Sequence, residues 1–456
     1  MSKQWIKEFI LYTNKVYGLD QMVKRVNDRR RSPNVKTSVI FIILLIGFVL
    51  RLESMEAFDR EIKKGRFNKL VPRKQGKPSH DTLRDALCQW NLESLDVNHD
   101  QFIQKFKQNR GPQKGRIDGL RIGAIDGSEL FVSKSRTCSD CLVRKNKNGE
   151  KEYFHRAVFL QKVGGDPRVI YDVDHLKPRD GSEKGEGEVT GDRRLLKTLN
   201  KRHGKLVDVL TADALYAKAT FINDALDAHM DVVIRMKEER RLIMKDARAT
   251  FQNRPPDVQW VERDKKGHLV KVEAWDQGDF QSWPQVKVPL RMVKMIRQTE
   301  KVKIVGGQKQ AYTEVIERWV VTTCKQSEVG TKTIAKIATA RWDIENNGFH
   351  DLKTYWHLDH PYVHDPTAIE AWVDILILAV NLIYSYLFMH LHHFRDWDIP
   401  LKEVIQEMKE LLRWGKFQLK HLIWNTSYEG GNKLNKIRQK SLGEVHPFHA
   451  IFVEST

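Results

Sequence analysis

The sequence predicts an α/β protein: a mixed-sheet core with an inserted mainly β subdomain, a helical N-terminal domain and C-terminal helices. Three changes of pattern predict this. Up to about residue 110 the apolar residues follow helical spacing, with no strand alternation. From about 116 the pattern becomes strand-like and then alternates strand with helix. Between about 240 and 325 it is almost all strand, after which helical spacing returns.

Each element follows from its own stretch. WIKEFILYTNKVYGL has helical apolar spacing, and VIFIILLIGFVL reads as a core run. In KPSHDTLRDALCQW, Pro78 and the N-cap candidate Ser79 open a helix behind the basic GRFNKLVPRKQGK, a candidate helix-turn-helix. The polar KQNRGPQKGR, with two glycines and a proline, marks a boundary near 115. LRIGAIDGSELF, RAVFLQKV and RVIYDVDHL then read as a three-stranded meander, followed by the helix GEVTGDRRLLKTLNKR. LVDVL, a helix around KATFINDALDAHM and the buried strand DVVIRM complete the order β-β-β-α-β-α-β. QWVERD, HLVKVEAWD, VPLRMVKMIRQ and TEVIERWVVTT supply the β insertion. Helices return from Thr331 to about Trp356, over 367–391, and through LKEVIQEMKELLRWGKFQLKHLIW.

The chain has 456 residues, more than one core usually serves. Its 78 Lys and Arg against 59 Asp and Glu leave a formal charge of +19, which points to a polyanionic partner held by salt-sensitive contacts. MSKQWIKEF lacks the charged, apolar, small-residue order of a secretory signal, and the cysteines, Cys88, Cys138, Cys141 and Cys324, are too scattered for a disulfide framework. A cytoplasmic, nucleoid-associated location is the expectation. The run 39–50 is too short to cross a bilayer, and 371–391 is interrupted by Asp374 and Asn381, so it is expected as a buried helix and no membrane partner is foreseen.

Asp126 ends an apolar strand run and precedes Gly127, and Asp213 stands just past LVDVL, so two strand ends can present carboxylates to one point. Glu345 lies on a helix with Arg341 one turn before it and Lys353 two turns after. Three carboxylates suit hard divalent cations, which stabilise the attacking and leaving oxygens of a phosphodiester displacement. Spacing alone does not select these three from 59 acids.

The local words do. AIDGSELFVS, VLTADALYA and RWDIENNGFHDLKTYWHLDH resemble, in order, three signature blocks of bacterial insertion-sequence DDE transposases, of the insertion sequence 4 group. The resemblance covers roughly residues 75–390. It implies an RNase H-like core with a β insertion between the second aspartate and the glutamate. It also implies two Mg²⁺ ions, replaceable by Mn²⁺, bound by Asp126, Asp213 and Glu345. Water attacks first, and the freed DNA 3′-hydroxyl then attacks target DNA in line. Arg341 and Lys353 would hold phosphates. The sequence departs from the group's tyrosine, arginine, glutamate, lysine signature: Ala338 stands where tyrosine is usual, and the lysine falls one residue late.

The implied division is a helical DNA-binding domain (1–115), the first part of the catalytic core (116–239), the β-rich insertion (240–325), the second part of the core with Glu345 (326–395) and a C-terminal helical region (396–456). The implied partners are double-stranded DNA, as terminal inverted repeats and target, and a second copy of the chain in a synaptic complex. An RNase H-like nuclease that cuts without joining, or an inactive transposase-derived DNA-binding protein, are the alternatives.

Other residues carry weaker signals. Trp319 falls where relatives carry a tryptophan that stacks on a flipped base, although a tryptophan on an alternating strand is more often core. SKSRTCSDCLVRKNKNGEKEYFHR is rich in cations, of which Arg144 and Lys145 are the DNA-contact candidates. Within it Cys138 and Cys141 form one CxxC. Zinc requires four ligands, and His155 with His175 or Cys324 is the set considered to complete them, against the preferred reading of two loop thiols. Asp172 and Asp174 are expected at the surface, and His357, Asp359, His360, His364 and Asp365 as a polar loop and helix cap.

Overall fold

The structure is a computed structural model that describes residues 4–178, 187–237, 241–264, 266–305, 308–391, 394–397, 399–415 and 419–424. The chain begins with helices α1 (Trp5–Tyr17), α2 (Leu19–Arg25), α3 (Thr37–Val49), α4 (Met55–Lys63), α5 (His80–Cys88) and α6 (Glu93–Gln108). Gly18, at φ +70°, turns the chain sharply between the first two. Ser79 caps α5 by accepting the Thr82 N–H. Residues 64–79 separate α4 from α5, far more than the roughly three or four of a helix-turn-helix, so those two helices do not form that motif.

A mixed sheet follows. Strands β1 (Ile122–Ser133), β2 (Leu142–Lys145), β3 (Lys151–Val163) and β4 (Ile170–His175) precede helix α7 (Glu188–His203), strand β5 (Val209–Ala212), helix α8 (Ala219–Asp227) and strand β6 (Asp231–Met236). β3 is antiparallel to both β1 and β4, while β5 is parallel to β1 and β6 to β5. The spatial order β4-β3-β1-β5-β6 makes the core RNase H-like. The short β2 pairs with the start of β3.

Helix α9 (Leu242–Phe251) then leads to β7 (Val258–Arg263), β8 (Leu269–Phe280), β9 (Leu290–Val305) and β10 (Gln308–Thr322). β10 runs antiparallel to β6, so the insertion continues the core sheet. Its base is locked by the buried Arg291, which donates to both oxygens of Asp276 and to the Val329 carbonyl at 2.7 Å; Thr331 adds a 2.6 Å bond to Asp276. This node joins β8 and β9 to the return into the core.

The return consists of α10 (Thr331–Ala340), a π-turn (Ile344–Phe349), α11 (His350–Thr354) and α12 (Pro366–Ser385), followed by α13 (Leu401–Trp414) and α14 (Lys420–Trp424). Residues 425–456 of the C-terminal region lie outside the described residues. Residues 366–390 are long and apolar enough to cross a membrane, but α12 is packed inside the protein against α3, α5 and α6. Its buried Asn381 explains the polar interruption: the amide donates to the Ile170 carbonyl at 2.8 Å and accepts the Ile170 N–H at 2.9 Å, tying helix to sheet.

Candidate active site

The register of the central strands brings the two aspartates together. Gly123 of β1 lies beside Leu210 of β5, and Ala124 beside Thr211. Two residues further along that offset, Asp126 and Asp213 stand side by side where β5 ends. Asp213 caps the following 3₁₀ turn by accepting the Leu215 N–H at 2.7 Å, which fixes its carboxylate at the strand end.

Glu345 reaches the same point from above. Phe349 packs edge-to-face on Phe159 of β3, ring centres 5.3 Å apart, and Gly348 leaves room for the Gln161 side chain beneath the helix. Arg341, almost wholly buried, donates to Glu345 Oε1 at 2.6 Å and lies 3.7 Å from Asp126 Oδ2. The local backbone is a π-turn, which carries one more residue than an α-turn. In an unbroken α-helix the eighth residue after Glu345 would be rotated roughly 80° from it, and the seventh only about 20°. With the π-turn absorbing one residue, Lys353 stands near the seventh-residue position; among the described residues it pairs with no carboxylate.

A fourth carboxylate was missed in the sequence. Glu188, at the start of α7, is 7% exposed, pairs with Arg156 at 2.9 Å and accepts the Tyr216 hydroxyl at 3.2 Å. It lies against Gly127, where a side chain would collide with it. Asp126 registers all of these groups. Burial first, and then Glu188, push its carboxyl up to about 7; Arg341 opposes, while Asp213 and Glu345 raise it further. Three further acids thus act on Asp126, with Arg341 opposing them. No pattern in one sequence marks Glu188, since it precedes its helix's apolar positions like many first-turn acids.

Residues 169–382 match the family model described as the transposase DDE domain. The chain carries a transposase DDE domain. The match includes Asp213 and Glu345 and begins after β1, which carries Asp126. Enzymes with this domain act in DNA transposition and use divalent metal ions. No curated protein matches the sequence. Among solved structures, a piggyBac transposase synaptic complex with hairpin DNA is similar at 12% identity and a TM-score of 0.44, over 100% of this chain and 87% of that one. The NurA nuclease from Sulfolobus solfataricus is similar at 11% identity and a TM-score of 0.24, over 66% and 96%. The assignment rests on the family match.

Beside its acids the DDE domain has a cluster of cations. Arg318 of β10 is half-buried, and its guanidinium is lowered by burial, then by Arg297, Arg235 and Arg341. Arg297 pairs with Glu262 at 2.6 Å, whereas Arg235 and Arg318 pair with no carboxylate among the described residues. Sequence reading passed over both, because each sits singly in an apolar strand. Trp319 faces Met236 across the β10–β6 pairing, at the same sheet end as Asp213. It is buried, stacked on Phe251 at 5.8 Å between ring centres, with Arg248 and Lys294 near its ring.

The other candidates are elsewhere. Arg144 and Lys145 lie on β2, opposite Glu152 and Lys151 at the far end of β3. Arg144 is tied to Glu129 and Glu152, at 2.5 and 3.0 Å; Lys145 is exposed. Asp172 and Asp174 are half-buried rather than surface residues, bound to Arg202 and Arg194 at 2.7 and 2.6 Å because their strand is covered by α7. Asp365 caps α12 through the Ala368 N–H.

Proposed function

We propose that this protein is a DNA transposase whose DDE domain cuts transposon ends and joins them to target DNA, with Asp126, Asp213 and Glu345 as the metal-binding acids. The observation that carries the reading is the convergence of these acids: Asp126 and Asp213 lie side by side on neighbouring strands, and Arg341 joins Glu345 to Asp126. Like charges gathered this closely cost free energy that a bound cation removes, and their all-oxygen chemistry suits Mg²⁺, or Mn²⁺ in its place. Divalent ions held there supply charge stabilisation for the attacking and leaving oxygens.

The chain's own groups do the positioning. Arg341 holds Glu345 toward Asp126 and keeps the two carboxylates from repelling one another. Arg235, Arg318 and Lys353 offer cations to the phosphates flanking the cut, and Trp319 a ring face to a base that leaves its stack. The helices of 1–115 and the net charge of +19 serve end binding, with Lys145 a further contact. Joining two ends requires a dimer in the synaptic complex, and the enzyme is expected at the cytoplasmic nucleoid.

The test uses the full chain, Mg²⁺, DNA bearing the inverted repeats that flank its reading frame, and a supercoiled target plasmid. Joined products are expected; cleavage without joining would make the protein a nuclease instead. Glu345→Gln should bind ends and cut none. Undiminished cleavage by that variant refutes its role as a ligand.

A further inference from the structure

We propose that Cys138, Cys141, His155 and His364 form a structural zinc site, separate from the acid cluster, that clamps the first hairpin of the sheet to the segment following Glu345. The four ligand atoms lie within 4.8 Å of one another. Cys138 and Cys141 Sγ are 3.6 Å apart, the His155 Nε2 is 3.2 and 3.3 Å from the two sulfurs, and the His364 Nε2 is 3.3 Å from Cys141 Sγ. Zinc bonds of about 2.3 Å to sulfur and 2.0–2.1 Å to nitrogen, at tetrahedral angles, require edges of roughly 3.8 Å between sulfurs and 3.6 Å from sulfur to nitrogen. The observed edges are within a few tenths of an ångström of these.

The chemistry selects the metal. Two thiols and two imidazoles, with no carboxylate in the set, suit zinc and not the hard cations of the acid cluster. A disulfide is not formed, since 3.6 Å far exceeds the roughly 2.05 Å of that bond. The Cys138 N–H points to Cys141 Sγ at 3.3 Å, a donor that supports a thiolate, and Phe131 packs beside both imidazoles with ring centres 5.2 and 5.3 Å away. Four protein ligands close the coordination sphere, the mark of a structural rather than a catalytic site.

Two residues considered from the sequence are not ligands: His175 and Cys324 stand outside this cluster. The fourth ligand is His364, which the polar-loop reading of 357–365 had absorbed. His364 is separated from Cys141 by the whole β insertion. Cys138 and Cys141 lie between β1 and β2, His155 sits on β3 opposite Phe131, and His364 directly precedes the cap of α12. The site is four residues along β3 from the partner of Asp126, about 13 Å. An ion here would join the strand bearing Asp126 to the chain that has just carried Glu345.

The experiment is metal analysis of the purified full chain after dialysis into chelator-free Mg²⁺ buffer. About one zinc per chain is expected, with Cys138→Ser and His364→Ala each losing most of it and Cys324→Ser keeping it. Should the ligand variants fail to fold, the wild-type chain decides alone: after zinc removal, added Co²⁺ should give the intense visible bands and thiolate charge transfer of a tetrahedral S₂N₂ centre. A folded wild-type chain that holds under about a tenth of an equivalent of zinc and gives no such cobalt spectrum overturns the proposal. Full zinc retention by His364→Ala overturns the four-ligand set.

Discussion

Gly127 and Glu188 are in such close approach that a methyl group at residue 127 would overlap the Glu188 side chain, with Cγ only 2.7 Å away. Glu188 has no slack, because Arg156 and the buried Tyr216 hydroxyl hold its two oxygens. Gly127→Ala should therefore displace the carboxylate, lowering stability by about 1–2 kcal/mol and metal-dependent cleavage roughly tenfold or more. Gly127→Ala with Glu188→Ala should recover the stability and not the cleavage. Thermal melts and cleavage assays check both; a single variant indistinguishable from wild type in both would show that the contact is immaterial.

The raised carboxyl of Asp126 makes stability depend on pH. Below the ordinary value of 3.8 the acid is neutral whether folded or unfolded, so it costs nothing. As pH rises from there to about 7, the folded protein keeps a proton that the unfolded chain has lost, so stability falls, and above 7 the full penalty remains. Asp126→Asn removes the ionisation. In EDTA it should exceed wild type by roughly 1–3 kcal/mol at pH 8, reduced by the lost attraction of Arg341, with the difference closing toward pH 4. Mg²⁺ should stabilise wild type and not the variant. Parallel melting curves across this range would sink the assignment.

Arg235 and Arg318 are cations without carboxylate partners among the described residues, next to the acid cluster. Replacing both with glutamine should weaken end-DNA binding about tenfold at moderate salt and reduce the slope of log affinity against log salt by roughly 1–2. Fluorescence anisotropy over a salt series measures it. An unchanged slope would mean that neither touches phosphate.

What was legible in the sequence was what repeats along it. The meander and the alternating strands were found because β1, β3, β5 and β6 carry apolar runs bounded by turns. Asp213 was found because it ends such a run, whereas Asp126, expected at a strand end, lies within β1, whose pairing with β3 continues past Gly127 to Ser133. β2 was missed because three of its four residues are exposed. α9 was missed because Ile243, Met244, Ala247 and Phe251 are brief amid strands. Glu188, Arg235, Arg318 and His364 owe their neighbours to contacts between segments distant in sequence, which no local pattern encodes.

The π-turn gives a further test of how sequence spacing maps onto geometry. Asn346 is exposed within it, while Ile344, Gly348 and Phe349 are buried on either side. Deleting Asn346 should convert the turn to regular α-helix, because the extra residue that widened it is gone. Phe349 would then still meet Phe159, and Lys353 would become the seventh residue after Glu345, on much the same face as now. The deletion should thus cost no more than about 2 kcal/mol and preserve end binding, where a one-residue deletion in an unbroken α-helix would rotate everything beyond it by roughly 100°. Deleting Ala338 from the preceding regular α10 is the control, expected to rotate the Arg341–Glu345 pair as a unit relative to the buried face of α10 and so away from Asp126. Equal damage from the two deletions, in melting temperature and in DNA binding, would show that the π-turn does not absorb the extra residue.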